Sequence, residues 1–234
     1  MTEFVYTGDN VLDVMSLYAN NRNKIIENFI TDFFKIKENT TLNLLEFGAG
    51  SGEFINRFKK YKNIKTFTVE LDDNYAKNLA KNHFSYKNIE DINEKIDAIF
   101  SIDVLEHIED ELIALKTIYN KLESKGKLLI YVPARPELYS NFDKSIGHFR
   151  RYKKKELVSK IKEAGFEVNL CRYQDFLGYF AGYYNVMFSK NDATLNKKAV
   201  AVYDKLFVPT SKVIEKIMIR PFIGKNLLLL ATKP

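Results

Sequence analysis

The run LNLLEFGAGSGEF, residues 42–54, constrains the fold more than any other part of the chain. A short apolar stretch that reads as a buried strand passes directly into Gly48, Gly50 and Gly52. Glycine weakens a helix start by about 1 kcal/mol per residue relative to alanine. Three of them together therefore point to a sharp turn or a ligand that must approach the backbone closely. In open α/β sheets, ligands bind beyond the carboxyl ends of the strands, which is where such a loop would lie.

The rest of the pattern agrees with a sheet of that kind. Leu12, Met15, Ile26, Phe29, Ile30 and Phe33 recur at helical spacing and predict a helix over 11–36. Strands are expected at 42–47, 64–69, 85–89, 96–102, 127–132, 166–173 and 226–232. Helices are expected at 53–61, from Asp72 or Asp73 to about residue 82, at 110–122 and at 153–164, the last closed by Gly165. Residues 134–152 read as a long loop. Residues 176–219 read as mostly helical with a break at Pro209. Strands alternating with helices imply a largely parallel sheet covered on both faces.

Composition removes several classes. Cys171 is the single cysteine, so no intrachain disulfide can form, no Cys-x-x-Cys zinc pair exists, and a reducing, cytoplasmic setting suits the chain. The first ten residues, MTEFVYTGDN, carry acids and no apolar core of a signal peptide. The longest uncharged stretch, 176–188, is shorter than the about 20 residues that cross a bilayer. The three histidines, His83, His107 and His148, lie far apart without ligand spacing, and no metal is expected. His83 reads as solvent-facing on a polar helix. The net charge is +6, with a cluster at Arg150, Arg151 and Lys153–Lys155. That cluster suits a phosphate or carboxylate partner or an ordinary solvated face.

The glycine loop fits neither common phosphate motif. A P-loop needs a lysine after its last glycine, and nothing basic follows Gly52 until Arg57. A dinucleotide fingerprint needs a third glycine where Glu53 stands. Glu46 and Glu53 suit a ligand carrying positive charge instead. Glu70 ends the second strand some 20 positions past the loop, placed to accept from two ribose hydroxyls.

The pattern Glu46-x-Gly48-Ala49-Gly50-x-Gly52, followed by FSIDVLEHIED at 100–110, resembles the class I S-adenosylmethionine-dependent methyltransferases. The closing NLLLLATK is similar to their last strand. GHFRRY at 147–152 and YANNRNK at 18–24 resemble a bacterial subgroup, many of whose members serve cell-envelope pathways. The resemblance implies a Rossmann-like α/β fold: a seven-stranded sheet in order 3-2-1-4-5-7-6, strand 7 antiparallel, with helices on both faces. It implies one domain over 1–234, with a helical cover at 1–40, a cofactor core at 41–173, a helical insertion at 174–224 and the last strand at 225–234.

It also implies a cofactor site. Glu46, Gly48, Ala49, Gly50 and Gly52 would line S-adenosylmethionine, Glu70 would hold its ribose, Leu71 and Asp91 its adenine, and Ser101 and Asp103 its methionine end. His148, His107, Tyr152 and Asp143 are the candidate bases, His148 first among them. Tyr18, Arg150 and Arg151 are the candidate acceptor-binding residues. Alternatively, His107 caps a helix, His148 supports loop packing, and the two arginines pair with surface acids.

The implied reaction passes a methyl group to a hydroxyl, amine or carboxylate of a small-molecule, glycan or lipid-linked acceptor, leaving S-adenosylhomocysteine. An RNA or protein methyltransferase and a noncatalytic S-adenosylmethionine-binding protein are the alternatives. No appended nucleic-acid-binding module is visible. The aromatic insertion suits a cap, a lid over an apolar acceptor, a peripheral membrane contact or a dimer interface, so a monomer or a homodimer is expected.

Overall fold

The computed structural model describes residues 9–188, 196–217 and 222–234. Its sheet comprises β1 (Leu42–Phe47), β2 (Ile64–Val69), β3 (Phe84–Tyr86), β4 (Ile96–Ile102), β5 (Leu122–Pro133), β6 (Glu167–Gln174) and β7 (Asn226–Thr232). The spatial order is β3-β2-β1-β4-β5-β7-β6. The first five strands pair in parallel, and β7 runs antiparallel to both β5 and β6. This is the implied topology.

The central strands are buried on both faces, which is why they read as continuous apolar runs. Leu45, Phe67, Ile99, Leu128 and Leu229 pack toward α4 (Glu111–Lys121) and α6 (Lys154–Glu163) through Leu115, Ile118, Leu157 and Ile161. Leu44, Ala98, Phe100, Leu129 and Leu228 turn to the other face, against Ile26, Ile30 and Phe34 of α2 (Asn20–Phe34). Successive residues thus serve opposite cores, as the two-residue period of a strand requires.

Several local expectations change. The segment after the glycine loop is only a short 3-10 turn, Ile55–Phe58, and the Ile55 N–H at its start is met by the Glu46 carboxylate. The third strand is Phe84–Tyr86, and β5 begins five residues earlier than expected, at Leu122. The 134–152 segment holds α5 (Asn141–Ser145), fixed by a capping box between Ser140 and Asp143. His83 is buried, with Nδ1 2.8 Å from Thr66 Oγ1 and Nε2 3.0 Å from Asn56 Oδ1. It is not solvent-facing, because those partners satisfy both ring nitrogens.

The insertion contains α7 (Phe176–Phe188), α8 (Lys197–Val202) and α9 (Val208–Ile217). Residues 189–195 and 218–219 of the expected helical stretch, residues 220–221 after it and the first eight of the chain lie outside the described residues. Pro209 does not break a helix. It occupies the first turn of α9, and the wide turn Tyr203–Phe207 just before it absorbs the missing N–H. Among the described residues no helix is long and apolar enough to cross a membrane.

The expected helix over 11–36 is two helices, α1 (Asp9–Tyr18) and α2, broken at Ala19. The exposed N–H groups at the start of α2 are met from far away. Asp204, 5 % exposed, accepts from Asn21 N at 2.8 Å and Arg22 N at 2.9 Å, and its carbonyl accepts from Asn21 Nδ2 at 3.0 Å. A carboxylate at a helix N-terminus satisfies orphan donors and complements the dipole. The insertion therefore clasps the N-terminal helices by a cap supplied across 183 positions of sequence. Asp204→Ala should cost about 1–2 kcal/mol, seen as a Tm lower by several degrees in a calorimetric scan. Asp204→Asn, which keeps one acceptor, should recover part of that loss.

Candidate functional site

The loop after β1 turns back over the end of β2. Gly48 N and Ala49 N donate to Val69 O at 2.9 and 3.1 Å. Gly48, Gly50 and Gly52 have φ of 78, 50 and 82°, all left-handed. A Cβ on Gly48 would stand 2.4 Å from Val104 Cγ2, so both conformation and space demand glycine there. Over Gly50 the nearest side-chain atom is Leu12 Cδ1 of α1, 3.3 Å from where a Cβ would be.

Two carboxylates organise this turn. Glu70 Oε2 accepts from Gly50 N at 2.6 Å and Oε1 from Asp72 N at 2.9 Å. Glu46 is buried and accepts from Ile55 N at 2.9 Å. Burial raises its pKa well above the usual carboxyl range. The Ile55 hydrogen bond opposes that rise, and the neighbouring Glu70 and Glu53 charges add to it. Glu53 does not wait for a cationic ligand. It pairs with Arg57 and accepts from Asn23 Nδ2 at 3.3 Å and Ser16 Oγ at 3.0 Å, tying the loop to the N-terminal helices.

Leu71 beside Glu70 is half-exposed, as an apolar platform would be. Asp91 lies in the 3-10 turn Ile89–Asp91 and accepts from Asn88 Nδ2 at 3.3 Å. At the end of β4, Ser101 Oγ donates to Phe47 O at 2.9 Å and so braces β1. Asp103 has φ 54° and its N–H donates to Tyr131 O at 2.8 Å. Its carboxylate pairs with Arg22, whose guanidinium lies 5.3 Å from the centre of the buried Tyr131 ring. Sequence reasoning singled out Tyr18, which ends α1, and passed over Arg22 four positions on. The signal was present in YANNRNK, but the partner is 81 residues away. On its other side Arg22 lines a small cavity with Tyr131, Gln174, Asp175, Ser211 and Glu215.

The remaining candidates sit around Glu106, which was not singled out. It lies in the 3-10 turn Leu105–His107 after β4, fully buried, and among the described residues neither carboxylate oxygen has a hydrogen-bond partner. Burial first, and then the Asp103 charge, hold its pKa well above the usual range. The rings of His107 and His148 meet edge to face, 4.6 Å between centroids. Burial and the adjacent His148 hold His107 at about 4. His148 Nδ1 stands 2.9 Å from Asp143 Oδ1. Burial alone would raise the pKa of Asp143, but His148 and Arg151 outweigh it and hold the group at about 2. The histidines that looked scattered thus include two in contact.

Of the other three candidates, Tyr152 is placed differently from expectation, and the two arginines follow the second of their readings, paired with acids. Tyr152 is packed inside the main core, and burial carries its hydroxyl above the ordinary tyrosine range, so it is a poor base. Arg151 is spent on Asp143, with Nε at 2.9 and Nη2 at 2.8 Å from Oδ1. Arg150 pairs with Glu111, which also holds Lys160, and donates to Glu109 O at 2.8 Å. Both arginines brace the loop instead of presenting an open anion grip, because acids on α4 and α5 lie within reach of them.

The "Methyltransferase domain" family model matches residues 18–170 of this chain. The chain belongs to this methyltransferase family. Its strand order places it among the class I S-adenosylmethionine-dependent methyltransferases. Among solved structures, it resembles an S-adenosylmethionine-dependent methyltransferase of Archaeoglobus fulgidus at TM-score 0.59 and 17 % identity, covering 90 % of this chain and 94 % of that one. It resembles phosphoethanolamine N-methyltransferase 2 of Haemonchus contortus, in complex with S-adenosyl-L-methionine, at TM-score 0.61 and 18 % identity, over 100 % of this chain and 58 % of that one. It also resembles the (4+2)-cyclase SpnF at TM-score 0.62 and 14 % identity, over 97 % and 94 %. No curated protein sequence matches it.

The state of Glu46 gives this methyltransferase a pH signature. A carboxyl whose folded pKa is raised favours folding most below its unfolded value, about 4.3, and that contribution is lost as pH rises through the folded value. Glu46→Gln keeps an acceptor for Ile55 N–H and carries no charge. Its urea midpoint should therefore fall less between pH 5 and pH 8 than that of the wild type. An unchanged pH dependence would contradict the assignment.

Proposed function

We propose that this methyltransferase transfers the S-adenosylmethionine methyl group to an oxygen or nitrogen of a small-molecule, glycan or lipid-linked acceptor. One observation carries the choice of ligand. The backbone N–H groups that a phosphate would need are already bonded, Gly48 and Ala49 to Val69 O and Gly50 to Glu70. A diphosphate would meet a carboxylate there, whereas a cationic nucleoside would not be repelled. Each Glu70 oxygen accepts one N–H and keeps lone-pair capacity for a ribose hydroxyl.

S-adenosylmethionine, when bound, supplies a methyl group already activated on a sulfonium. The chain's own work is to seat, align and exclude water. Gly48, Ala49, Gly50 and Gly52 clear space beside the nucleoside, and Leu71 offers an apolar face to the adenine with Asp91 nearby in sequence order after β3. Arg22, held by Asp103 over Tyr131, is suited to the methionine carboxylate. Glu46, buried behind the loop with its carboxyl pKa raised, fixes the turn through the Ile55 N–H.

The acceptor side is assigned to the groups that follow β4 and β5. The ionised Asp143 carboxylate directs the His148 Nδ1 proton toward itself, leaving Nε2 to take a proton from a hydroxyl or amine. The cavity behind Arg22, lined in part by α9 of the insertion, is the recess we assign to an acceptor. The small amine substrate named for the Haemonchus enzyme belongs to that protein, and it supports a small-molecule acceptor here only by analogy of fold.

Calorimetric titration with S-adenosylmethionine should show one site in the wild type. Glu70→Ala and Gly50→Val should weaken binding at least ten-fold. Retained affinity in Gly50→Val would remove the loop assignment. His148→Ala should keep cofactor affinity and lose turnover when methyl-labelled cofactor is offered with acceptor panels. Stoichiometric binding with no methyl transferred to any acceptor would favour a binding protein, or a chemistry of another kind on the same fold.

A further inference from the structure

Glu106, His107 and His148 converge on one point. A carboxylate oxygen of Glu106 and one ring nitrogen from each histidine all lie within 4.8 Å of one another. Glu106 and His107 come from the turn after β4, and His148 from the segment after α5, so the set is assembled only by folding. Glu106 is completely buried with both oxygens unmatched, and a buried carboxylate without partners calls for an explanation such as an ion.

The surroundings of the histidines have the form of a metal site. His148 turns Nδ1 to Asp143 Oδ1 at 2.9 Å and Nε2 toward Glu106 Oε1 at 3.8 Å. His107 is hydrogen-bonded to the backbone of Gly147. A metal-bound histidine commonly gives its second ring N–H to a carboxylate or a backbone carbonyl, which fixes the tautomer and aims the free lone pair. Each of these two histidines has a partner of that type.

We infer that Glu106, His107 and His148 form a binding site for a divalent transition-metal ion. Two imidazoles and one carboxylate match zinc and other first-row ions, and both kinds of site keep coordination positions open. Magnesium and calcium prefer all-oxygen sets. Metal–ligand bonds of about 2.1 Å place ligand atoms roughly 3–3.5 Å apart, so the three side chains need to close by about 1 Å. The expectation of a metal-free protein rested on the spread of the histidines along the chain, and folding removes that ground. With the ion bound, the His148 lone pair is directed to it, so the proton-accepting role assigned to His148 above holds for the metal-free protein only. That an acceptor oxygen would fill an open position rests on the methyltransferase reading; the ion site itself does not.

The test uses the untagged full-length chain, stripped with a chelator and titrated with cobalt(II) alone. Visible absorption should saturate at one equivalent, with zinc displacing cobalt in a calorimetric competition. Glu106→Gln and His148→Ala should each weaken binding at least ten-fold, and Asp143→Asn about ten-fold through loss of the outer partner. If Glu106→Gln does not fold, the other two variants carry the comparison, with a thermal scan of each as control. Absence of saturable binding to the folded wild type up to millimolar cobalt overturns the inference, as does unchanged affinity in the folded variants. S-adenosylmethionine affinity, measured on the same samples, separates the two readings: its loss with cobalt binding intact would sink the cofactor assignment and leave the metal site standing.

Discussion

A strand that ends in glycines leaves backbone N–H groups with no helix to receive them, and the rest of the site follows from how they are met. Gly48 and Ala49 donate to the last carbonyl of β2, Gly50 to Glu70, and Ile55 to Glu46. The turn is thereby pinned to two neighbouring strands, and these donors are satisfied. The Glu70 carboxylate beside a bare backbone disfavours an anionic ligand at the turn.

The second organising feature is the way distant parts of the chain hold one another. Asp204 in the insertion caps α2, and two residues into that helix Arg22 reaches Asp103 at the end of β4. A single short stretch of α2 therefore joins the insertion, the cofactor side and the cavity behind Tyr131. Glu53 extends the tie to α1 through Ser16. A change in how the insertion sits on α2 would reach Arg22 directly, without passing through the core.

The sheet was legible from residues because each central strand is apolar on both faces and bounded by turn chemistry. The second, fourth and last strands fall at their expected bounds. The N-cap acids Asp72 and Asp110 mark the starts of their helices, both accepting backbone N–H bonds. The failures are of one kind. His83 looked solvated because its neighbours in sequence are polar, while its partners Thr66 and Asn56 come from elsewhere. Arg150 and Arg151 looked available because nothing beside them in sequence claims them, yet Glu111 and Asp143 do. Tyr152 looked catalytic beside a histidine, but its strand-like pairing with Ala134 carries the ring inward.

The amino-acid sequence by itself determined the α/β architecture, the place of the glycine turn and the acid that ends β2, because local propensity and short-range spacing encode these. Tertiary structure alone decided which charges are spent and which groups meet: Asp204 with α2, Arg22 with Asp103, and Glu106 with two histidines some forty positions apart. The physical reason is that hydrogen bonds and ion pairs depend on distances of a few ångströms in space. Only burial of the two faces of the sheet brings such residues within that reach.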